Sequence, residues 1–277
     1  MKRGFVTKAD SRYFPGLKNL IASLQKTNPD IPITVFDCGL TDDQKSQISQ
    51  RVHRILDLKI TNYKIKAIDY GRFTEAIYAA MYLDKTEYDV LFHIDADTVV
   101  LENLENVFET CLSVDFLGVS DYPPLNLASQ IVDSELITSL TGSYPMINWE
   151  LKAFNGGVFC TNRAFFENSI LPKIREFSYL HQKFKTNDQA LLNLAYASLG
   201  CGNFHDLGIL YNFRPQFSRA PEIQYPEVFL NDNSILTGKY AGETIKIYHY
   251  IREPKPWMDG FDKSSLPYKI WHQFSGI

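Results

Sequence analysis

The first sixty residues alternate between short strand-like segments and segments with helical periodicity. Gly4–Thr7 and Ile31–Phe36 are apolar and β-prone. The segment between them repeats its apolar residues at helical spacing, at Leu17, Leu20, Ile21 and Leu24. Thr41, with Gln44 three residues later, predicts a capping box that opens a second helix running to about Leu56. This alternation predicts a parallel, doubly wound sheet whose strands are followed by loops along one edge.

A later apolar segment, Val90–Ile94, has the length of a buried strand, and Asp95-Ala96-Asp97 follows it at once. A tight turn after the strand would let both carboxylates converge at its carboxyl end, where ligands of open α/β sheets bind. Two carboxylates without a nearby thiolate suit Mg²⁺ or Mn²⁺, which usually share their remaining positions with substrate phosphates. An isolated Asp-x-Asp is equally typical of a polar turn after a buried strand. Phe73–Leu83 is predicted as the helix that precedes this strand.

Composition argues against several other classes of protein. The chain has 277 residues, 45% hydrophobic and 22% charged, so it can bury a sizeable core as a single domain over residues 1–277. A net charge of −4 gives no electrostatic support for nucleic-acid or anionic-membrane partners. The four cysteines are widely spaced and form no Cys-x-x-Cys pair, which argues against a disulfide framework or a zinc site. The sequence shows neither a signal peptide nor a membrane-spanning apolar run, so a cytoplasmic location is expected.

Two further segments contain residue types suited to sugar recognition. Phe154–Thr161 is predicted as a strand interrupted at its start by Asn155-Gly156-Gly157, where the backbone can approach a ligand closely and the amide can bond hydroxyls. A β-bulge or a hairpin turn is the structural alternative. Asp188 and Gln189 open a predicted helix, where a carboxylate can simply cap the first turn. In a sugar site, the same pair could instead stabilise an oxocarbenium-like transition state.

The remaining candidates lie near the two ends of the chain. An imidazole such as His249 can serve as a third ligand for Mn²⁺, although an isolated histidine is more often a core or surface residue. Lys255 can meet a phosphate as a point charge. Asp10 and Tyr13 follow the first strand, where a nucleotide base would cross the sheet edge, but they are also compatible with an ordinary turn.

Four of these segments together resemble the motifs of a known family. They are Asp95-Ala96-Asp97-Thr98, Phe154-Asn155-Gly156-Gly157-Val158, Asp188-Gln189 with Leu192-Asn193, and His249 with Lys255-Pro256-Trp257. Their residues and their order are similar to those of the retaining, GT-A-fold glycosyltransferases of family 8, which include glycogenin and bacterial lipopolysaccharide galactosyl- and glucosyltransferases. The resemblance extends over Gly4–Trp257.

The resemblance implies an α/β protein with the GT-A fold, a single mixed and mostly parallel sheet flanked by helices. Residues 1–120 would form a Rossmann-like nucleotide-sugar-binding half. Residues 121–277 would form an acceptor and catalytic half, in which the irregular stretch Asp121–Glu150 is predicted to be a lid or an acceptor wall. The implied activity is metal-dependent transfer of a hexose, with retention, from UDP-glucose or UDP-galactose to a hydroxyl of a carbohydrate or glycolipid.

The resemblance also implies roles for individual residues. Asp95, Asp97 and His249 would hold Mn²⁺ or Mg²⁺ against the diphosphate of the UDP-sugar. Asp188 and Gln189 would be the catalytic residues beside the donor sugar. The implied donor-binding residues are Asp10, Tyr13, Arg72, Asp95, Ala96, Asp97, Asn155, Gly156, Gly157, His249 and Lys255.

Departures from the family pattern leave other interpretations open. Arg252 replaces the glycine that usually follows the metal histidine by three residues, so a nucleotide-sugar-binding protein without catalysis is one alternative. His93 replaces a more common aromatic or aliphatic residue and is expected in the core, with no role. The strand that ends in Asp95 and Asp97 also fits a haloacid-dehalogenase-like phosphatase, with Asp95 as nucleophile and Asp97 as general acid, although that motif normally lies near the N-terminus.

Overall fold

The computed structural model describes residues 1–58, 85–121, 124–214 and 227–276. Its strands are β1 (Arg3–Ala9), β2 (Ile33–Asp37), β3 (Arg54–Asp57), β4 (Val90–Ile94), β5 (Thr98–Val100), β6 (Phe116–Ser120), β7 (Phe154–Asn162), β8 (His205–Asp206), β9 (Glu227–Leu230), β10 (Leu236–Tyr240), β11 (Glu243–Thr244) and β12 (Ile247–His249). Its α-helices are α1 (Phe14–Thr27), α2 (Asp42–Ile48), α3 (Glu105–Cys111), α4 (Ser134–Ser143), α5 (Arg163–Phe165), α6 (Leu171–Phe177), α7 (Asn187–Ala197) and α8 (Leu266–His272). Short 3₁₀ and π-helical segments cover Ala128–Gln130, Phe166–Ile170, Ser178–Lys183 and Ile209–Asn212. The predicted helix Phe73–Leu83 and the predicted donor residue Arg72 lie outside the described residues.

Seven of the strands in these ranges form the main sheet, in the order β3-β2-β1-β4-β7-β6-β8. The strands β1 to β4 run parallel, β8 runs parallel to β6, and β7 is antiparallel to both of its neighbours. The mixed, mostly parallel sheet expected from the sequence is therefore confirmed. Because β7 and β8 follow residue 120, both predicted halves of the chain contribute strands to this sheet.

Helix α1 packs as its periodicity predicts. Pro15 lies in the first turn, where its missing N–H has no intrahelical partner to lose. The four apolar residues at helical spacing are buried in one cluster with residues of β1, β2 and β4. Each such aliphatic side chain contributes roughly 1.5–3 kcal/mol on burial. This contact fixes α1 against the sheet.

Helix α2 is shorter than the sequence predicts. The capping box of Thr41 and Gln44 is present, but the helix ends at Ile48 rather than near Leu56, so the predicted end is wrong. The chain turns back after Ile48 and forms β3, which pairs in parallel with Thr34–Asp37 of β2. Backbone hydrogen bonding along the open edge of β2 overrides the helical propensity of this segment.

The strand that carries the Asn-Gly-Gly segment runs without a break from Phe154, but its pairing with β6 is interrupted at its start, as the sequence predicts. Gly118 lies opposite Phe159, whereas Ser120 lies opposite Phe154. Strand β7 therefore has three more residues than β6 over this interval, which is a bulge at the Asn155-Gly156-Gly157 segment.

Residues 121–150 are more regular than expected, because they contain α4, whose first turn is capped by Asp133.

A two-stranded sheet brings the carboxyl-terminal part of the chain to the end of β4. Strand β5 begins directly after Asp97 and pairs antiparallel with β12, which places Thr98 opposite His249. The backbone N–H of Tyr250 also donates to the carbonyl of Asp97 at 2.9 Å. His249 thus lies beside Asp97 although 152 residues separate them in sequence.

The other elements of the second half complete the molecule. Strands β9, β10 and β11 form a separate antiparallel sheet, and α8 packs in a cluster with residues of β10 and β12. Over the described ranges, no helix is both long enough and apolar enough to cross a lipid bilayer.

Gly16 allows α1 to touch the turn that carries the two carboxylates. A Cβ at Gly16 would lie 2.6 Å from the carbonyl oxygen of Ala96 and 2.6 Å from the ring of Trp257. The absence of a side chain therefore lets three segments meet, namely α1, the turn after β4, and the segment that follows His249.

The substitution Gly16→Ala is expected to lower the free energy of unfolding by about 1–3 kcal/mol, because the added methyl group overpacks this contact. Gly142→Ala is the matched control, since a Cβ at that position of α4 meets nothing within 4 Å. Chemical denaturation of both variants measures the difference. Equal stability of Gly16→Ala and the wild-type protein would contradict the close approach described for α1.

Candidate metal and donor site

The turn after β4 brings the two predicted carboxylates to the sheet edge. The N–H of Asp95 donates to the carbonyl of Gly157 at 2.8 Å, and Thr98 Oγ1 donates to the carbonyl of Asp95 at 2.8 Å. The first bond ties the end of β4 to β7, and the second closes the tight turn that the sequence predicts. One ligand atom each from Asp95, Asp97 and His249 lies within 4.8 Å of the others.

The two oxygens of Asp95 have different surroundings. Oδ1 lies 3.1 Å from His93 Nε2 and 3.5 Å from Lys8 Nζ. Oδ2 lies on the side of His249, because a Cβ at Gly157 would come within 2.6 Å of both Asp95 Oδ2 and His249 Cε1. Burial alone would raise the pKa of Asp95, but Lys8 and His93 outweigh it and hold the pKa well below its usual range. One oxygen of Asp95 is therefore held by Lys8 and His93, and the other lies on the side of His249.

His249 and Lys255 both approach Asp97. His249 Nε2 lies 3.1 Å from Asp97 Oδ1, while Lys255 Nζ donates to Asp97 Oδ2 at 2.5 Å and to the carbonyl of Tyr250 at 2.5 Å. The other nitrogen of the imidazole, Nδ1, lies 2.7 Å from Asn212 Oδ1. Burial raises the pKa of Asp97, but His249 and Lys255 outweigh it and keep the pKa below its ordinary value.

The polarity of this cluster fits a divalent cation. Nδ1 of His249 lies against Asn212 Oδ1, so Nε2 is the ring nitrogen that faces the carboxylates of Asp95 and Asp97. A divalent cation held between these three groups would take the place of a proton on Nε2 and would be coordinated by the imidazole and both carboxylates. Two carboxylates with one imidazole suit Mn²⁺, and the Asn212 contact orients the ring for it.

Gln189 is held by three hydrogen bonds at the start of α7. Its Oε1 accepts from Asn155 Nδ2 at 3.0 Å and from the N–H of Gly156 at 3.1 Å, while its Nε2 donates to Asp121 Oδ2 at 2.9 Å. A Cβ at Gly156 would lie 3.1 Å from Gln189 Cα, so the glycine permits the strand to approach the helix. Residues that the sequence places in separate motifs thus form one network.

Asp188 lies beside this network and pairs with a lysine. Its Oδ2 accepts from Lys8 Nζ at 2.6 Å, and its Oδ1 accepts from the backbone N–H of Gln189 at 3.1 Å. The contact with the backbone resembles the capping role that was one alternative, whereas the lysine contact has no counterpart in the sequence analysis. Burial lowers the pKa of Lys8, but Asp188 and Asp95 outweigh it, so the pKa lies above the ordinary lysine value.

Asp10 forms a turn of the ordinary kind. Its Oδ1 accepts from the backbone N–H groups of Arg12 and Tyr13, and its Oδ2 pairs with the guanidinium of Arg12. Tyr13 packs edge-on against Trp257, with ring centroids 5.9 Å apart, and Lys255 Nζ lies 5.5 Å from the Tyr13 ring. Burial, followed by the nearby carboxylates, raises the pKa of Tyr13 to about 12. Tyr13 therefore borders the cluster of Asp95, Asp97 and His249 through its contact with Lys255. Contact of Asp10 or Tyr13 with a nucleotide base stays a prediction.

Several site residues have no role in the sequence analysis: Lys8, His93, Asp121, Asn212 and Arg214. His93 is buried, as expected, but it stacks on Phe159 and contacts Asp95. No local pattern marks Lys8, Asp121, Asn212 or Arg214, because their partners lie in other elements of the chain. Asn212 ends a 3₁₀ segment and is not part of a strand.

Arg214 and Asp121 form a buried ion pair behind Gln189. Arg214 Nη1 donates to Asp121 Oδ1 at 2.5 Å, and the two side chains are 4% and 8% exposed. Because the other oxygen of Asp121 accepts from Gln189, the ion pair fixes which way the Gln189 amide faces.

The substitution Arg214→Met is expected to lower the free energy of unfolding by roughly 3–5 kcal/mol, because it breaks a buried ion pair by removing one partner. Adding Asp121→Asn should recover part of that loss, since the second change removes the buried negative charge. Arg163→Met, which breaks an exposed pair with Glu167, is the control and should cost at most about 1 kcal/mol. Similar denaturation midpoints for the Arg214 and Arg163 variants would contradict the buried pairing.

The substitution Gly157→Ala is expected to weaken Mn²⁺ binding by about 10–100-fold, the range seen when the support of a metal ligand is disturbed. The reason is the methyl group, which would come within 2.6 Å of one atom each from Asp95 and His249. Titration of Mn²⁺ followed by electron paramagnetic resonance measures the affinity, with Gly142→Ala as control. Unchanged affinity would argue against a metal between these residues.

Comparison with known proteins assigns the family. The model of Glycosyl transferase family 8 matches residues 5–260. The chain belongs to this family. A curated relative, glycosyltransferase GlyA of Streptococcus pneumoniae serotype 4 (strain ATCC BAA-334 / TIGR4), is 22% identical over 284 residues. That alignment covers 100% of this chain and 35% of GlyA, so the chain spans about a third of the length of this relative.

Solved structures of glycosyltransferases share the fold. The galactosyltransferase LgtC, in complex with donor and acceptor sugar analogues, matches with a TM-score of 0.67 at 18% identity, over 99% of this chain and 95% of LgtC. The bifunctional WbbM matches with a TM-score of 0.69 at 17% identity, over 99% of this chain and 50% of WbbM. GlyE of Streptococcus pneumoniae TIGR4 matches with a TM-score of 0.64 at 19% identity, over 100% of this chain and 61% of GlyE. The GT-A fold expected from the sequence is confirmed.

Family membership bears on the classes of protein that the sequence left open. It supports the transferase interpretation over the phosphatase alternative. Arg252, on which the binding-protein alternative rested, is exposed.

Proposed function

We propose that this family 8 enzyme transfers a hexose from UDP-glucose or UDP-galactose to a hydroxyl of a carbohydrate or glycolipid, with retention at the anomeric carbon. The observation that carries the proposal is the convergence of Asp95, Asp97 and His249 beside the buried Lys255. Such a cluster suits Mn²⁺ or Mg²⁺ that shares its coordination with a diphosphate.

The leaving diphosphate makes the largest electrostatic demand on this site. Asp95 Oδ2, Asp97 Oδ1 and His249 Nε2 are the atoms that would hold the ion, which when bound supplies positive charge at the departing phosphate. Lys255 supplies a second positive charge next to it. Its ammonium is fixed by Asp97 and by the carbonyl of Tyr250, so the charge is in place before the donor binds.

The donor sugar is proposed to lie at the start of α7. There Asp188 offers a partly exposed carboxylate, and Gln189 offers an amide whose orientation is fixed by Asn155, Gly156 and Asp121. A preorganised carboxylate and amide dipole stabilise positive charge that develops at the anomeric carbon. Asp188 and Gln189 are not among the proposed metal ligands. Different residues would therefore stabilise the sugar side and the phosphate side of the bond that breaks.

Thermal unfolding with UDP, UDP-glucose, UDP-galactose and GDP, each with and without Mn²⁺, tests the proposal. A ligand that binds the folded state at about a hundred times its Kd stabilises it by roughly 2.7 kcal/mol. We expect a rise in Tm that requires UDP or a UDP-sugar together with Mn²⁺. Of UDP-glucose and UDP-galactose, the one that raises Tm more is identified as the donor. A rise with GDP alone, or none with any nucleotide, would contradict the proposed donor.

The substitution Asp97→Asn is expected to remove the Mn²⁺-dependent part of this rise and the release of UDP from the donor, because it replaces a metal ligand by a neutral amide. The circular dichroism of the variant without ligand checks that it is folded. Asp232→Asn, at an exposed position, is the matched control and should keep both properties. Wild-type turnover in Asp97→Asn would refute the role of this carboxylate.

A further inference from the structure

Lys8 lies between two carboxylates that the sequence motifs assign to different parts of the site. Its ammonium is 2.6 Å from Asp188 Oδ2 and 3.5 Å from Asp95 Oδ1. The side chain of Lys8 is 16% exposed, so this contact is largely removed from water. Family motifs name both carboxylates and leave the lysine without a role.

Sheet register explains how Lys8 reaches both partners. In the parallel pair of β1 and β4, Val6 lies opposite His93, so Lys8 and Asp95 follow at the same level two residues further along. Val6 and Lys8 share one face of β1, and Val6 packs in the same core cluster as Leu191 and Leu192 of α7. Helix α7 begins next to Asp188, so a long side chain at position 8 spans from the strand to the start of the helix.

The charges around Lys8 are arranged in two pairs. Asp97 has its own lysine, Lys255, at 2.5 Å, whereas Asp188 has Lys8 at 2.6 Å. Asp95 lies between the pairs, with Oδ1 on the side of Lys8 and Oδ2 on the side of the metal cluster. A cation held by Oδ2 would therefore not need the oxygens that Lys8 contacts.

We propose that Lys8 is a positioning residue, which holds the Asp188 carboxylate at the donor-sugar pocket and fixes its distance from the metal carboxylate Asp95. The proposal rests on the proposed function, since it assigns Asp188 to the donor sugar. The charged lysine acts through Asp188 and does not itself touch the reacting atoms. The backbone N–H of Gln189 holds Oδ1 of Asp188, and Lys8 holds Oδ2, so the lysine fixes the oxygen that the helix itself leaves unbound.

A metal-support role for Lys8 makes the opposite prediction for metal affinity. If Lys8 served mainly to orient Asp95 for the ion, its removal would weaken Mn²⁺ binding. If it positions Asp188, its removal takes away a positive charge 3.5 Å from a metal carboxylate, so Mn²⁺ binding stays the same or tightens while turnover falls. The two roles therefore differ in the direction of one measurable quantity.

The experiment compares Lys8→Met, Lys8→Gln and Lys8→Arg with Lys26→Met, a control at an exposed position of α1. Mn²⁺ affinity is measured by electron paramagnetic resonance. The kcat and KM for release of UDP from UDP-glucose and UDP-galactose are measured at saturating Mn²⁺. We expect Lys8→Met and Lys8→Gln to lower kcat by at least about tenfold through misplacement of Asp188, with Mn²⁺ affinity unchanged or higher. Lys8→Arg keeps the charge and should retain most of the activity.

Two results would overturn the proposal. One is a kcat within twofold of the wild-type value in folded Lys8→Met or Lys8→Gln. The other is weaker Mn²⁺ binding in these variants together with full recovery of kcat at high Mn²⁺, which would assign Lys8 to the metal. Should Lys8→Met fail to fold, Lys8→Gln and Lys8→Arg carry the test, since both keep a hydrogen-bond donor. Failure of the proposed function is distinguishable, because it would show as absence of UDP- and Mn²⁺-dependent stabilisation in the wild-type protein.

Discussion

The structure around the site depends on cations that neutralise carboxylates largely removed from water. Asp97 pairs with Lys255, Asp121 with Arg214, and Asp188 with Lys8. Asp95 shares Lys8 and also contacts His93. An unpaired buried carboxylate is strongly destabilising, so each of these side chains requires a partner and each partner limits where the carboxylate can point. Charge compensation thus fixes the geometry of the site and contributes to its stability.

Chain topology explains how residues far apart in the sequence meet at one site. The end of β4 supplies Asp95, the antiparallel β7 supplies the glycines that leave room beside it, and β12 supplies His249 through its pairing with β5. Ligands of open α/β sheets bind at the carboxyl ends of strands, and the described site lies there. The segment Asn212–Arg214 then serves both parts of the site, because Asn212 orients His249 and Arg214 holds Asp121.

Much of the candidate site could be predicted because its residues occur in short local motifs. Asp95 and Asp97 follow an apolar strand, and His249 was the third ligand proposed; the structure brings these three within coordinating distance. The end of α2 could not be predicted in this way, since the segment before Asp57 is governed by hydrogen bonding to β2 and not by its own propensity. His93 illustrates the same limit, because burial was expected while its contact with Asp95 was not.

The sequence by itself determined the fold class, the family and the residue types of the candidate metal site. Strand–helix alternation and the order of four motifs are properties of the chain read along its length. Only the tertiary structure decided which cation serves which carboxylate. Lys8 meets Asp188 across 180 residues, and Arg214 meets Asp121 across 93. The physical reason is that an ion pair depends on the distance between two charges in space, and strand register and helix packing set that distance.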